Sequence, residues 1–240
     1  MRRRSFICDQ QGFSLVETMV AMLTGVIVIF ATFAILEVSL SQSSRIADRV
    51  SADRRGRIAM EKIILILHSS CVAPETTPVE PKSEGNKLLI ISQTGAAPTF
   101  ATVFLHELAF TETAGKGTLT DTTYPNTGAK PAPNWEFSTT AASRQTLLTG
   151  ATRSETATKS TIPIFQYFKY EGSKLSDTPL VGELTEATAN EVAAITVSFT
   201  AAPESGNIGK VAGARTVDLA DTAVLRFSPS SPSATNLPCA

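Results

Sequence analysis

Residues 10–37 read QQGFSLVETMVAMLTGVIVIFATFAILE, and the kind of fold open to the chain turns on this stretch. Between Glu17 and Glu37 lie nineteen residues, 18–36, without a single charge. Wound as a helix at about 1.5 Å per residue they extend roughly 28 Å, close to the hydrocarbon thickness of a bilayer. Thr18, Thr24, Gly25 and Thr32 interrupt the run, but a threonine hydroxyl can bond back to its own helix and stay satisfied in an apolar medium. The competing reading is a core helix of a water-soluble protein. Such helices carry a polar stripe, and here none exists across five turns.

A secretory signal peptide competes more closely, because Arg2, Arg3 and Arg4 supply a basic leader. Its apolar region should be roughly 7 to 15 residues long and end at a small-residue cleavage site. This run is longer, and the residues after it, 37–44, are polar helix formers. The sequence therefore predicts a retained anchor.

A glycine followed by Phe-Ser-Leu-Val-Glu, after a short basic leader and ahead of an apolar helix, resembles the cleavage and methylation motif of the type IV prepilins. That family contains major and minor pilins and the pseudopilins of type II secretion. Residue by residue, the resemblance makes Gly12 the last leader residue and Phe13 the first mature one. It implies that a membrane aspartic prepilin peptidase cuts Gly12–Phe13 on the cytoplasmic face and that Phe13 is then N-methylated. Glu17 becomes the fifth mature residue, the glutamate used in assembly. The implied location is the bacterial cytoplasmic membrane, single-pass with the N-terminus cytoplasmic, and then a pilus or pseudopilus. The implied partners are other pilin or pseudopilin subunits, the peptidase and the membrane.

Electrostatics gives the glutamate a reason. A charge at the centre of a membrane helix costs on the order of 2.5 to 3.5 kcal/mol on the insertion scale, and less near the interface. Cleavage before Phe13 would create an amine four residues from Glu17, on the same helical face. The two are expected to neutralise each other in a lone subunit, or Glu17 to meet a neighbour's amine in a filament and so set axial register. The plainer reading is an acid favoured at a helix start by the macrodipole. Three arginines precede the apolar run and five follow it within residues 37–57, so a positive-inside count does not choose the orientation. The short leader and the processing motif do. Many major pilins place a proline near the twenty-second mature residue; here that position is Ala34, which fits a minor subunit.

The helix is expected to continue past the membrane. Residues 37–57 contain no proline, and Arg45 with Asp48, Arg49 with Asp53 and Asp53 with Arg57 have helical spacing. From Ile58 an apolar stripe of Ala59, Ile63 and Leu67, flanked by Met60, Ile64 and Cys71, predicts packing on a sheet. Pro74 and Pro78 are expected to end a helix of about 55 to 60 residues. Beyond Pro81 the periodicity approaches two. KLLIISQT and TVFLHELAFTE read as strands, and 111–160 as loops around one or two weak strands. IPIFQYFKYEGSKLS reads as a hairpin turning at Glu171-Gly172-Ser173. EVAAITVSFTA alternates Ile195, Val197 and Phe199 against Thr196, Ser198 and Thr200. RTVDLADTAVLRFSP reads as a last edge strand broken near Asp221. The FxYFxYxGxxL hairpin, the ITVSFT strand and the final TAVLRF strand follow one another as in W-type minor pilins and J-type minor pseudopilins, which they resemble. The expected fold is α+β and pilin-like. Its long N-terminal membrane-spanning helix packs its C-terminal half on an antiparallel sheet. The leader is 1–12, the assembly helix 13–36, its continuation 37–72 and the β-rich extracytoplasmic domain 73–240.

Composition narrows function further. The chain has 240 residues and a formal net charge of −1. Beyond Cys71 acidic residues outnumber basic ones without a lysine–arginine cluster, which disfavours direct nucleic-acid binding. Cys8 falls in the leader. Cys71 and Cys239 form an even pair in an extracytoplasmic domain and are a disulfide candidate, unlinked thiols being the alternative. His68 and Cys71, three apart, suit a Cys–His nucleophile or half a metal site, but no third group follows at a recognisable spacing. His106, alternating with Phe104 and Leu108, reads as a packed strand residue. Asp218 and Asp221 offer a calcium reading or plain surface solvation. No catalytic residue, metal ligand or cofactor is expected, and the chain reads as a structural subunit rather than an enzyme. The rival classes are an uncleaved signal-anchored binding module and a membrane-tethered hydrolase.

Overall fold

A computed structural model of the chain describes residues 14–71, 77–93, 103–113, 116–130, 134–203 and 216–225. The chain divides into two compact units between Ile46 and Ala47. Helix α1, Leu15–His68, contributes to both.

In the first unit the Ser14 carbonyl accepts from the amides of Glu17 (3.0 Å) and Thr18 (3.1 Å), which winds the opening turn. The hydroxyls of Thr18, Thr24 and Thr32 donate back to the carbonyls of Leu15, Val20 and Ile29 at 2.8, 2.9 and 2.8 Å. The polar interruptions of the apolar run are thus satisfied inside the helix. Every residue from Ser14 to Ser44 is exposed.

In the second unit α1 behaves differently. Ala52, Gly56, Ala59, Met60, Ile63, Ile66 and Leu67 are buried, spaced by one to four residues along one face. They meet the inward side chains of an eight-stranded antiparallel sheet. Its strands are β1 (Lys87–Gln93), β2 (Val103–Thr113), β3 (Lys116–Pro125), β4 (Ser143–Thr152), β5 (Phe165–Glu171), β6 (Lys174–Leu175), β7 (Val192–Ala201) and β8 (Val217–Val224). A four-residue helix, α2 (Glu186–Ala189), precedes β7 and starts with a capping box between Thr185 and Thr188.

β1 to β4 pair in sequence order, and β7 gathers the rest. β8 lies along one edge of β7 from Ala194 to Ala201. β5 takes Val192 to Val197 and β4 takes Thr200 and Ala201, so these two share the opposite edge end to end. The alternation expected for this strand holds: Ile195, Val197 and Phe199 are fully buried, while Thr196 and Thr200 are partly exposed. Ser198 is also buried, because its hydroxyl donates to the Pro163 carbonyl. Tyr167 on β5 is buried among these side chains, and its hydroxyl lies 3.1 and 3.0 Å from the carbonyls of Glu84 and Lys87. Burial raises the Tyr167 phenol far above its ordinary range, so it remains a neutral donor.

Three sequence expectations need correction. The helix ends at His68, before Pro74, because the chain then joins the free edge of β1. The Cys71 amide donates to Ile91 O (2.8 Å) and the Gln93 amide to Ser69 O (3.0 Å). The interval 111–160 does hold two strands, within the one or two expected, but they are ten residues each rather than weak, and β3 is interior, flanked by β2 and β4. Threonine is β-branched and suits a pleated surface, so a threonine-rich stretch that resembles loop by composition forms strand. β8 runs unbroken through Asp221. The hairpin does turn at Gly172, whose φ of 68° suits glycine, between the paired Glu171 and Lys174.

Gly56 marks the closest approach of α1 to the sheet. A Cβ there would stand 2.9 Å from Ala201 Cβ and closer still to a methyl of Leu219. Gly56→Ala should gain about 1 kcal/mol of helix propensity and lose about 1 to 3 kcal/mol to overpacking against a strand residue that has no rotamer to change. The expected outcome is no stabilisation, and up to about 2 kcal/mol of loss, in denaturant unfolding of the detergent-solubilised protein. A net gain would show that the sheet yields at this point.

Candidate functional site

Glu17 is the acid of the first turn of α1 and is exposed. That position alone satisfies the helix-dipole reading, since an acid is favoured where the first amides are unpaired. Gly12 and Phe13, the expected processing residues, lie outside the described residues. Glu17 opens the one helix, among the described residues, that is long and apolar enough to cross a membrane. Leu15, Val16, Met19, Met22 and Phe30 each expose about two thirds of their surface or more. Runs of large exposed apolar side chains of this length mark a surface that water does not normally face.

Cys71 is disulfide-bonded and fully buried. Cys239, the partner expected from the sequence, lies outside the described residues. Cys71 packs with Ile91 and Val103 in a small cluster covered by Leu105, Trp135 and Phe137. Ile91, Val103 and Leu105 have the opposite parity to Ile90 and Leu108 on their strands, so this cluster forms on the face of β1 and β2 turned away from the main core. His68 is exposed, and Cys71 has no thiol to offer it. The Cys–His pairing allowed by their spacing is therefore not formed.

One polar constellation escapes a reading of the sequence. His106 on β2 and Asp121 on β3 are both buried, and the His106 Nδ1 lies 2.9 Å from Asp121 Oδ1. Because a carboxylate only accepts, the ring nitrogen donates. Asp121 stands opposite Leu108, and His106 opposite Thr123, so the two are diagonal neighbours on the inner face. Ser92 on β1 shares that face, diagonal to His106 on its other side. Both His106 Nε2 and Ser92 Oγ are buried without a hydrogen-bond partner among the described residues. The order Ser–His–Asp has the roles of a nucleophilic relay. Ser92, however, is fully buried, and a relay needs a hydroxyl that a substrate carbonyl can reach. Only antiparallel register, which sequence spacing does not reveal, brings residues 92, 106 and 121 together.

Asp218 and Asp221 do not converge. Three residues apart on β8, they project from opposite faces of the sheet. Asp218 accepts from the Thr200 hydroxyl, and Asp221 from the Thr222 amide at 2.8 Å. Among the described residues no group of three or more metal-binding side chains is assembled. Comparison with protein-family models, with curated proteins and with solved structures finds no match.

Two outcomes are expected. His106→Leu strands a buried carboxylate and should cost about 3 to 5 kcal/mol, whereas the His106→Leu/Asp121→Leu double variant should recover most of that loss. Denaturant unfolding of the three proteins decides it, and a near-neutral single variant contradicts the pairing. Glu80 supplies the second. Its carboxyl is raised above the usual carboxylate range, first by burial and then by the nearby Glu186 carboxylate. The stability associated with protonated Glu80 is complete below the ordinary carboxylate value and is lost as pH rises through the raised folded value. Glu80→Gln should therefore melt higher than the parent at neutral pH and converge with it below pH 4.5. A constant offset across pH would contradict this.

Proposed function

We propose that the chain is a structural subunit of the type IV prepilin class, of the minor pilin or minor pseudopilin kind. In this reading a prepilin peptidase removes residues 1–12, Phe13 is methylated, and α1 holds the subunit in the cytoplasmic membrane until it joins a filament. The filament is a type IV pilus, a DNA-uptake pilus or a type II secretion pseudopilus. One observation carries the reading: the order Gly12-Phe13-Ser14-Leu15-Val16-Glu17 stands at the mouth of an apolar helix whose residues 18–44 are all exposed. Subunits that store an unburied apolar helix in lipid can later bury it against one another.

The chemistry assigned to the site is packing and charge pairing, not bond breaking. Phe13 through Leu36 associate in an apolar medium, and small residues at Ala21, Gly25 and Ala31 let neighbouring helices approach. Glu17 supplies the only fixed charge of the segment, and an amine at Phe13 is the counter-ion that processing creates. A carboxylate in lipid with no such partner is destabilised, so only the register that pairs it is tolerated. The β-rich unit then faces neighbours or cargo.

Glu17→Ala removes the charge and the register constraint together. The variant should still insert and still lose residues 1–12, but its recovery with co-purifying filament subunits should fall about tenfold or more, because the Phe13 amine is then left as the unpaired intramembrane charge. Undiminished recovery would remove Glu17 from assembly. An unprocessed protein that carries out its role as a lone membrane-bound chain would favour the signal-anchored binding module instead.

A further inference from the structure

Strand β8 is an edge of the sheet, and its pairing with β7 fixes which of its backbone groups turn outward. The Leu225 amide donates to Ala193 O at 2.8 Å. In an antiparallel ladder bonded and unbonded pairs alternate, so Ile195–Ala223, Val197–Asp221 and Phe199–Leu219 are bonded pairs as well. The N–H and C=O groups of Asp218, Ala220, Thr222 and Val224 therefore point away from β7. All four residues are exposed, and among the described residues no other strand or loop backbone meets them.

The other edges of the sheet are protected. Ser69, Cys71, Pro78 and Glu80 bond along β1, and the amides of Ser176 and Leu180 donate to Lys169 and Tyr167 of β5. β4 shifts register against β3, and its Thr149 carbonyl accepts from Arg55 at 3.2 Å. β8, VDLADTAV, has no proline, no lysine and no register shift, so it lacks the common guards of an edge. It has two carboxylates instead. Asp218 accepts from the Thr200 hydroxyl, and Asp221 caps the outward Thr222 amide at 2.8 Å.

This arrangement selects what can pair there. A neutral or acidic strand leaves Asp221 in place and the Thr222 amide blocked. A cation opposite Asp221 draws the carboxylate away and frees the amide for the incoming backbone. On its outward side Asp221 falls in an unbonded pair, where opposing Cα atoms stand only about 4.5 Å apart and side chains meet. Asp218 calls for a second cation three positions along the incoming strand. A second copy of β8 does not fit, because it has no basic residue to offer in any register.

We propose that the free edge of β8 is a strand-addition site for an extended basic segment of another protein, with Asp221 as a latch on the Thr222 amide. Backbone pairing supplies the contact, and lysines or arginines three positions apart supply the selection. The site belongs to the second unit alone and does not depend on the membrane-anchored reading.

The test uses the full-length protein in detergent and a capped threonine–valine peptide as long as β8, carrying two lysines three positions apart. Hydrogen exchange of segment 217–225 is the readout, and the peptide is expected to slow it. A glutamine-for-lysine peptide should need about fivefold higher concentration, as for lost exposed ion pairs. A lysine peptide N-methylated on the amides that would face β8 should give no protection. Asp221→Ala should bind the glutamine peptide more tightly than the parent does, because the latch is gone. No protection by the lysine peptide, or equal protection by its N-methylated form, overturns the site. Unchanged glutamine-peptide binding in Asp221→Ala overturns the latch. Protection that rises with protein concentration alone, without peptide, assigns the edge to a second copy and overturns the basic partner.

Discussion

Nineteen consecutive uncharged residues constrain everything else about this molecule. A helix apolar on all sides has no stable resting place in water, and in this chain it finds no cover within the first unit, where residues 14–44 are exposed throughout. In the reading proposed above, lipid or other helices supply that cover. The internal hydrogen bonds of Thr18, Thr24 and Thr32 fit the same demand, because they remove the hydroxyls that an apolar medium would penalise.

The same helix obeys a second rule after Ala47. There Ala52, Gly56, Ala59 and Ile63 form a narrow apolar stripe, and the sheet provides the surface that buries it. The sheet is organised around β7, which serves three neighbours and presents Ile195, Val197 and Phe199 to the core. Exposed edges of sheets invite unwanted pairing, and β1 avoids this by taking up Ser69 and Cys71 along its free side. The helix therefore stops where its chain becomes useful to the sheet, several residues before any proline requires it.

Features that depend on neighbours in sequence are legible from the sequence; those that depend on distant pairing are not. Hydrophobic period reveals the apolar run, the Ala59–Ile63–Leu67 stripe and the alternation of β7, and the Gly172 turn is legible for the same local reason. The interior place of β3 is hidden, since its threonines and single buried leucine, Leu119, resemble loop composition. Only pairing with β2 and β4 on both sides makes it a strand. His106 reads as a packed strand residue, as it is, but Asp121 becomes its partner only through antiparallel register. Proline as terminator places the end of α1 too late, because backbone bonding to β1 acts first. At the candidate site, Glu17 and the apolar helix are readable; the buried line of Ser92, His106 and Asp121 is not.

One acid at the mouth of an apolar helix gains, in this reading, a counter-charge that exists only after the first twelve residues are gone. The most direct measurement is the intact mass and N-terminal sequence of the protein purified from membranes of its native host. The expected result is a chain that begins with N-methylated Phe13. A purified chain still carrying residues 1–12, or cut at some other bond, would contradict it.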